Sequence, residues 1–566
     1  MKLIVVGGVA GGASAAARVR RLDEHAEIQI FERGDNVSYS NCSLPYFLGG
    51  IVGSADELVM MTPEDFKVKH NIDVHVNSEV TAIDRSAKTV TVRNTVTGET
   101  RQEPYDKLVL SPGASPIMPG SIKGIHRDNV FSVRNVSDVV RIKRYMDSVN
   151  AQDIVVVGGG FIGIEVAENL KLTGKNVTLV EGMDQILAPF DHDMVQYLQK
   201  EVDDHGVRLC LSSTLTAVED GHITAVKDGS EFSVPADVVI MAIGVAPETG
   251  LARDAGLEIG PSRGIKVNDR FQTSDPDIYA VGDAIESFNA ITGAPGRLAL
   301  AGPAQKQARI AADHMYGIGT SYKGFYGSSC IRVFGLNAAS TGLNEKTAAA
   351  ANIAIDSVQV FPSDKVGIMP DSHFMSFKLL FAPETGKLLG AQAIGPGDTA
   401  KRVDSIAALI SLGGTVADVM NFEHCYAPLF STAKDVVHMA ALVAENVRSG
   451  RVTQVHVDKV RELVENGAYI VDVRQPEEFA QGHIKGAHNI PTTQLRQRLA
   501  EIPRDVPVYL HCRSSQRSYY ACCCLKGNGF DNVINISGSF LGISLYEYFT
   551  DKTQGRTPIV TAYNFE

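Results

Sequence analysis

The stretch Asp153-Ile154-Val155-Val156-Val157-Gly158-Gly159-Gly160-Phe161-Ile162-Gly163 decides the fold. Four consecutive β-branched apolar residues, 154–157, read as a strand buried on both faces. Gly158, Gly160 and Gly163 then match the G-x-G-x-x-G turn into a helix, whose first turn holds Phe161 and Ile162. A helix N-terminus offers unpaired N–H groups and the positive end of its dipole, and glycines let a pyrophosphate reach them. A second strand, Asn176-Val177-Thr178-Leu179-Val180, ends in Glu181, 18 residues beyond Gly163. A carboxylate there accepts hydrogen bonds from an adenosine ribose and repels a 2′-phosphate, and no arginine occupies the next few positions, so the unit favours NADH over NADPH. Gly244, after a later apolar run, joins the expected nucleotide-binding set.

The same pattern opens the chain. Lys2-Leu3-Ile4-Val5-Val6 is a strand, Gly7-Gly8-Val9-Ala10-Gly11-Gly12 a glycine turn, and an alanine-rich helix runs to about Arg21. The strand Glu27-Ile28-Gln29-Ile30-Phe31 ends in Glu32, followed by Arg33. The middle glycine of the fingerprint is Val9 here, but Glu32 suits a ribose hydroxyl pair. Asp283, in Val281-Gly282-Asp283 after the apolar run 278–281, suits a ribityl chain, and that run is expected to return to the first sheet. Two nucleotide units predict two nucleotides, and the chain is an α/β protein with two dinucleotide-binding Rossmann-like domains.

With 566 residues the chain exceeds one hydrophobic core, and about three or four domains are expected. A net charge of -12 with no basic run argues against nucleic acid as a partner. No apolar stretch reaches the length of a membrane span and no signal-peptide order is present, which predicts a cytoplasmic protein. The eight cysteines show no C-x-x-C pair, so no structural metal is expected and most thiols should be free. From about 325 to 445 the character changes: strands such as Phe377-Lys378-Leu379-Leu380-Phe381 precede a long alanine-rich helix. A linker at Arg448-Ser449-Gly450-Arg451 leads into a separate α/β module.

The glycine turns, the acidic strand ends, Ser111-Pro112-Gly113 after Leu108-Val109-Leu110, and Val281-Gly282-Asp283 together resemble the two-dinucleotide-binding flavoprotein disulfide reductases over about residues 1–445. The resemblance implies FAD on Gly7, Gly8, Ala10, Gly11, Gly12, Glu32, Arg33, Ser111, Pro112, Gly113 and Asp283. It implies NADH on Gly158, Gly160, Phe161, Ile162, Gly163, Glu181 and Gly244. It further implies an FAD-binding domain over 1–110 and 270–324, an NADH-binding domain over 111–269, an α+β dimerisation domain over 325–445, and hence a homodimer.

Cys42 stands alone in Ser40-Asn41-Cys42-Ser43-Leu44-Pro45-Tyr46, with no second thiol among the next five residues. A lone cysteine must cycle against an external partner, as a mixed disulfide, sulfenic acid or persulfide. The run resembles the single-cysteine branch of the family, the coenzyme A-disulfide and persulfide or polysulfide reductases. Coenzyme A phosphates need cations, and Arg18, Arg20, Arg21, Lys67 and Lys69 are available; Ser38 and Asn41 flank the cysteine. The branch carries two interface-domain tyrosines near its cysteine. One matches Tyr426 in His424-Cys425-Tyr426-Ala427-Pro428; the other has no counterpart around Gly367-Ile368-Met369-Pro370. That departure weighs against coenzyme A disulfide as the main substrate and is compatible with coenzyme A as a bound arm.

The C-terminal module, from Ile470-Val471-Asp472-Val473-Arg474 through Val508-Tyr509-Leu510-His511 to Cys512, resembles a rhodanese domain over about 453–560, and the domain is taken as 453–566. Cys512 ends a strand and opens a loop closed by a helix, where backbone N–H groups, Arg513 and Arg517 favour a thiolate and then a persulfide. The spacing from Cys512 to Arg517 is C-x4-R, smaller than the C-x5-R cradle of related phosphatases, which favours sulfur over phosphate. Adjacent helical residues point about 100° apart, so Cys522, Cys523 and Cys524 cannot share a ligand and are expected to pack in the core. Cys425 is expected to pack in the core or interface, and His483 and His488 to make structural hydrogen bonds.

The expectation is an NADH-dependent, FAD-containing reductase of persulfide or polysulfide sulfane sulfur. Cys42, Tyr426, Cys512 and Arg517 are its catalytic set, and Cys512 is a sulfur carrier. Three alternatives stand beside it: a coenzyme A-disulfide reductase, an NADH oxidase or peroxidase working through a Cys42 sulfenic acid, and a slowly turning redox-sensing or sulfur-relay protein.

Overall fold

The computed structural model describes residues 1–565, which divide into two compact units. The first comprises residues 1–184 and 210–325. Its first parallel sheet orders the strands Ile278–Ala280, Lys107–Leu110, Lys2–Val6, Glu27–Phe31 and Asp73–His75. Val6 pairs with Phe31 on one side and Leu110 on the other, and Ala280 pairs with Leu110. The late strand does return to the first sheet. The small residues of the helix Ala10–Leu22 allow it to pack closely on the sheet and on the helix Ala301–Met315.

The second parallel sheet of this unit contains Asn176–Val180, Asp153–Val157, Val238–Met241 and Val130–Ser132, in that order. Val156 pairs with Leu179 and Ile240, and residues 154–157 are buried throughout. That burial on both faces is why the strand reads as an unbroken apolar run. Two antiparallel three-stranded sheets accompany the parallel ones, Ser78–Asp84 through Thr100–Pro104 and Ser213–Val218 through Ser230–Pro235.

The second unit comprises residues 185–209 and the chain from 326 onward. Its antiparallel sheet orders Ser329–Val333, Leu336–Gly342, Leu388–Gly395, Ser376–Phe381 and Asp356–Val360. The strand Ser376–Phe381 is followed by one more strand, Leu388–Gly395, and then by the helices Thr399–Ser411 and Val436–Arg448, the latter the alanine-rich helix expected here, with the short Val416–Asn421 between them. Within Leu388–Gly395, a Cβ on Gly390 would collide with the Leu343 carbonyl, so the backbones approach there as only glycine permits. Lys378 points into this core at 1% exposure. Its ammonium sits 2.6 Å from Glu345, 2.8 Å from Asp193 and 3.1 Å from Asp191, which offset the cost of burying it.

The C-terminal module is a parallel sheet in the order Gln454–Val455, Val533–Ile536, Val508–His511, Tyr469–Asp472 and His488–Asn489. Its last helix, Ser539–Gln554, lies against the helix His192–Asp204, and Leu541 and Leu545 bury with Phe361 of the antiparallel domain. The module is thus packed onto that domain. Among the described residues no helix is long and apolar enough to cross a membrane.

Candidate active sites

Both glycine turns are shaped by close backbone approach. A Cβ on Gly7 would collide with the Ser111 carbonyl, and one on Gly12 with the Gly7 carbonyl. In the second turn Gly158 faces the Ala242 carbonyl and Gly163 faces that of Gly158 in the same way. Gly7 and Gly158 also need positive φ, 90° and 110°. Neither following helix has a side-chain cap, so each leaves its first N–H groups available to an anion. Gly160 differs from its neighbours, because a Cβ there meets no protein atom within 4 Å.

The two acidic strand ends are held alike. Glu32 accepts N–H groups from Gly8 and Gly34, both at 2.9 Å, and Glu181 accepts those of Gly159 at 2.5 Å and Met183 at 2.7 Å. Each carboxylate is therefore fixed beside its glycine turn. In the first cradle the Ser111 N–H donates to Val6 O at 2.8 Å, and Gly113 follows with φ 73°. The Ser38 N–H donates to Gly8 O at 2.9 Å. Arg33 pairs with Glu248 at 3.0 Å. Asp283 lies in the 3₁₀ turn Gly282–Ala284, fixed by a 2.8 Å bond from Gly282 N to Gln307, and burial pushes its carboxyl up. In the second cradle Phe161 and Ile162 occupy the first helical turn and Gly244 takes φ 115°. Uncapped helices, glycines that admit no Cβ and fixed carboxylates are what a dinucleotide requires, so both cradles fit one.

Cys42 lies in the 3₁₀ turn Asn41–Ser43, which the helix Leu44–Leu48 continues. The residue is exposed by area, yet its thiol is pushed up by local desolvation and then by the charges of Glu165 and Asp283. Glu165, on the helix Phe161–Leu172, accepts from Tyr46 Oη at 3.5 Å. Burial, helped by Glu168, raises the Glu165 carboxyl to about 7. The loop is also clamped at Gly49, where a Cβ would collide with Asn169, and by Lys143 Nζ over the Phe47 ring at 4.7 Å. Glu165 and Asn169 carry no signal in the sequence beyond the placement of Glu165 two residues past Gly163, and Tyr46 stands in the Cys42 run without an assigned role.

The cations expected for coenzyme A divide. Arg18 is ion-paired with buried Asp313 at 2.6 Å. Buried Arg20 donates to five backbone carbonyls, those of His70, Asp23, Glu24, Ala26 and Asn71. Arg21 is exposed, and Lys67 and Lys69 make exposed pairs with Asp73 and Asp65. Asn41 is exposed beside Cys42.

In the second unit, Tyr426 is 51% exposed on a loop held by a buried cluster. Arg402 Nη2 donates to Asp364 O at 2.8 Å, Asp435 at 3.0 Å and Phe430 O at 3.2 Å, and His424 lies 3.2 Å from Asp435. Cys425 is exposed in this chain, so it is not packed in the core. Cys512 ends the strand Val508–His511 and is 1% exposed. Ser518 Oγ lies 3.7 Å and Ser539 Oγ 3.9 Å from its sulfur. Arg517 bonds Glu478 through both nitrogens, at 2.6 and 2.7 Å, and Glu478 then Cys512 hold its guanidinium above the ordinary range. Arg513 instead stacks on Phe374, 4.9 Å from the ring centre. Ser539 and Glu478 lie 27 and 34 positions from Cys512 and carry no motif that announces them. Cys522 is buried, its thiol pushed up to about 12 by desolvation, whereas Cys523 is exposed, so only part of the triplet packs in the core. His483 bonds Phe479 O at 2.9 Å, and His488 stacks on Tyr469.

Residues 1–308 match the pyridine nucleotide-disulphide oxidoreductase model, and residues 329–437 match the dimerisation domain of those enzymes. The chain belongs to this oxidoreductase family. The family uses FAD and a nicotinamide nucleotide, in keeping with two cradles in one unit. Residues 456–545 match the rhodanese-like domain. A coenzyme A disulfide reductase of Staphylococcus haemolyticus is 34% identical over 447 residues, covering 79% of this chain and all of that one. The reduced CoADR-RHD of Bacillus anthracis superposes with a TM-score of 0.94 at 42% identity, over 97% of this chain and 98% of that one. A NAD-dependent persulfide reductase of A. fulgidus gives 0.90 at 33% identity, over 95% and 99%.

Proposed function

We propose that this oxidoreductase reduces persulfide or polysulfide sulfane sulfur to sulfide at the expense of NADH, with the C-terminal domain as its sulfur carrier. The observation that carries this reading is a lone, exposed Cys42 in a chain whose rhodanese domain is packed onto the dimerisation domain. The persulfide reductase of A. fulgidus, alike over 95% of the chain, supports it.

Gly7, Gly8, Ala10, Gly11, Gly12, Glu32, Arg33, Ser111, Pro112, Gly113 and Asp283 are read as the FAD site, and Gly158, Gly160, Phe161, Ile162, Gly163, Glu181 and Gly244 as the NADH site. Bound FAD supplies the electron pair, taken from NADH, that this chemistry consumes. The Cys42 thiolate attacks the outer sulfur of R–S–SH, forming a Cys42 persulfide and expelling R–S⁻. Two electrons and one proton then convert that persulfide to the Cys42 thiolate and hydrogen sulfide. Glu165, poised near neutrality and bonded to Tyr46, is the group in this loop suited to hold the proton. Cys512 takes sulfur from a donor and passes it toward Cys42. Tyr426 is read as the interface-domain tyrosine that serves Cys42 in a homodimer. The exposed Arg21 and Lys67, with Ser38 and Asn41, are the groups read as meeting coenzyme A, while Arg18 acts through Asp313. The free cysteines suit a reducing, cytoplasmic setting.

A coenzyme A-disulfide reductase is the second reading, favoured by the Staphylococcus haemolyticus relative. The deciding experiment compares NADH oxidation with polysulfide, a small persulfide, coenzyme A disulfide and peroxide, with Cys42→Ser and Cys512→Ser alongside. Sulfide release that depends on Cys42 is expected, with slow coenzyme A disulfide turnover. Fast coenzyme A disulfide or peroxide turnover without sulfide release overturns the substrate assignment.

A further inference from the structure

Two serines around Cys512, Ser515 in its loop and Ser539 at the start of the helix Ser539–Gln554, hold a backbone state that serine disfavours. Ser515 takes φ 73° and Ser539 φ 51°. Left-handed backbone is unfavourable for an ordinary L-residue, and glycine is its usual occupant. The Ser539 hydroxyl meets Cys512, and the Ser515 hydroxyl meets Ser539. Ser539 Oγ accepts the Cys512 N–H at 3.2 Å and lies 3.9 Å from its sulfur. It also lies 3.3 Å from Ile536 O, to which it can donate. Ser515 Oγ sits 3.2 Å from that same carbonyl and 3.2 Å from Ser539 Oγ. Ser539 and Ser518 are fully buried, so water does not compete for these bonds.

Counting hydrogens gives the arrangement its logic. Each serine has one hydroxyl hydrogen. Ser515 can satisfy Ile536 O alone, which frees the Ser539 hydrogen to turn to the sulfur when charge appears there. We propose that Ser515 and Ser539 form a hydroxyl relay that stabilises negative charge on the Cys512 sulfur. The charge appears when an acceptor thiolate attacks the outer sulfur of the Cys512 persulfide: a new S–S bond forms to the acceptor, the Cys512 Sγ–S bond breaks, and its electron pair stays on Sγ. Ser518 Oγ already donates to the sulfur at 3.7 Å; Ser539, at 3.9 Å, is the second hydroxyl in contact with the reacting atom, and Ser515 is a positioning residue acting through Ser539. The inference rests on the reading of Cys512 as a sulfur carrier.

The test uses the full-length protein, loaded with sulfur from thiosulfate and discharged by cyanide, with thiocyanate as the readout. Iodoacetamide alkylation of unloaded Cys512, followed against pH by peptide mass spectrometry, is measured in parallel. Ser515→Gly and Ser539→Gly remove a hydroxyl while relieving the backbone; Ser539→Ala removes the hydroxyl without that relief. A hydrogen bond to a charged group supports about a tenfold effect. Discharge about tenfold slower in all three variants, with the alkylation profile moved to higher pH, is the expected result. Glycine variants that match the unsubstituted protein in both readouts overturn the relay. If the unsubstituted protein gains no sulfur at Cys512, the carrier reading fails by itself, and the alkylation profiles still decide whether the hydroxyls stabilise the thiolate.

Discussion

Glu165 accepts a hydrogen bond from Tyr46 at 3.5 Å, which joins the nucleotide-binding helix to the loop that carries Cys42. Burial and Glu168 lift the Glu165 carboxyl from an ordinary 4.5 to about 7. The folded protein therefore binds this proton more tightly than the unfolded chain. The associated stability is fully present below pH 4.5 and is lost as pH rises through about 7. Glu165→Gln should flatten the stability profile between those limits in denaturant titrations. The same variant should lose an inflection near pH 7 in kcat/KM for persulfide. An unchanged rate profile would remove Glu165 from the proton inventory of the site.

The glycines of the two turns separate steric need from ligand need. Gly12→Ala and Gly163→Ala each drive a Cβ into a backbone carbonyl, so each should dismantle its own turn. The first should be purified without flavin. The second should retain flavin that dithionite reduces and NADH does not. Gly160→Ala meets no protein atom, so it should fold with an unchanged Tm while its KM for NADH rises. A loss of Tm in Gly160→Ala comparable to that of Gly163→Ala would show that the open space at Gly160 is not reserved for a ligand.

The basic residues of the first helix divide by burial. Arg18→Ala strands the buried Asp313 carboxylate, leaving it only the longer contact to Arg309 at 3.7 Å. A cost of about 2 kcal/mol is expected, because a buried charge loses its main partner. Arg21→Ala and Lys67→Ala lie at exposed positions, should leave stability within about 0.5 kcal/mol, and should weaken coenzyme A binding by calorimetry. If neither weakens it, coenzyme A has no subsite on this face.

Legibility followed the range of the interactions. The strand–glycine–helix units were readable because they are written within a dozen consecutive residues: apolar run, glycine spacing, acidic strand end. The return of Ile278–Ala280 to the first sheet was readable because a short apolar strand before Gly282 has few other places to go. The buried charge of Lys378 was not, since three carboxylates from 33 to 187 positions away make it tolerable. Nor were Glu165 beside Tyr46 or Ser539 behind Cys512. Each pair is made by tertiary convergence of residues whose types are common on any surface.

The rhodanese-like module is held by the interlocked side chains of Leu541, Leu545 and Phe361 rather than by its linker alone. Gln454 Nε2 adds a 2.8 Å bond to Ser357 O, and Tyr546 meets the His192 ring edge-on. Such packing should make the antiparallel domain and the module unfold together. Phe361→Ala removes the central ring, at a cost of about 3 kcal/mol, while leaving Cys512 and its loop untouched. Calorimetry should then separate the melting of the module from that of the antiparallel domain, which should coincide in the unsubstituted protein, and proteolysis should reach the segment Arg448-Ser449-Gly450-Arg451. If sulfur passes from Cys512 to Cys42, the carrier's effective concentration depends on how the module is tethered, and freeing it from the antiparallel domain changes that tether. Phe361→Ala should therefore lower sulfide release from sulfur preloaded on Cys512 while leaving turnover of free polysulfide nearly unchanged. Equal losses in both assays would mean that docking supports the reductase fold and not the transfer.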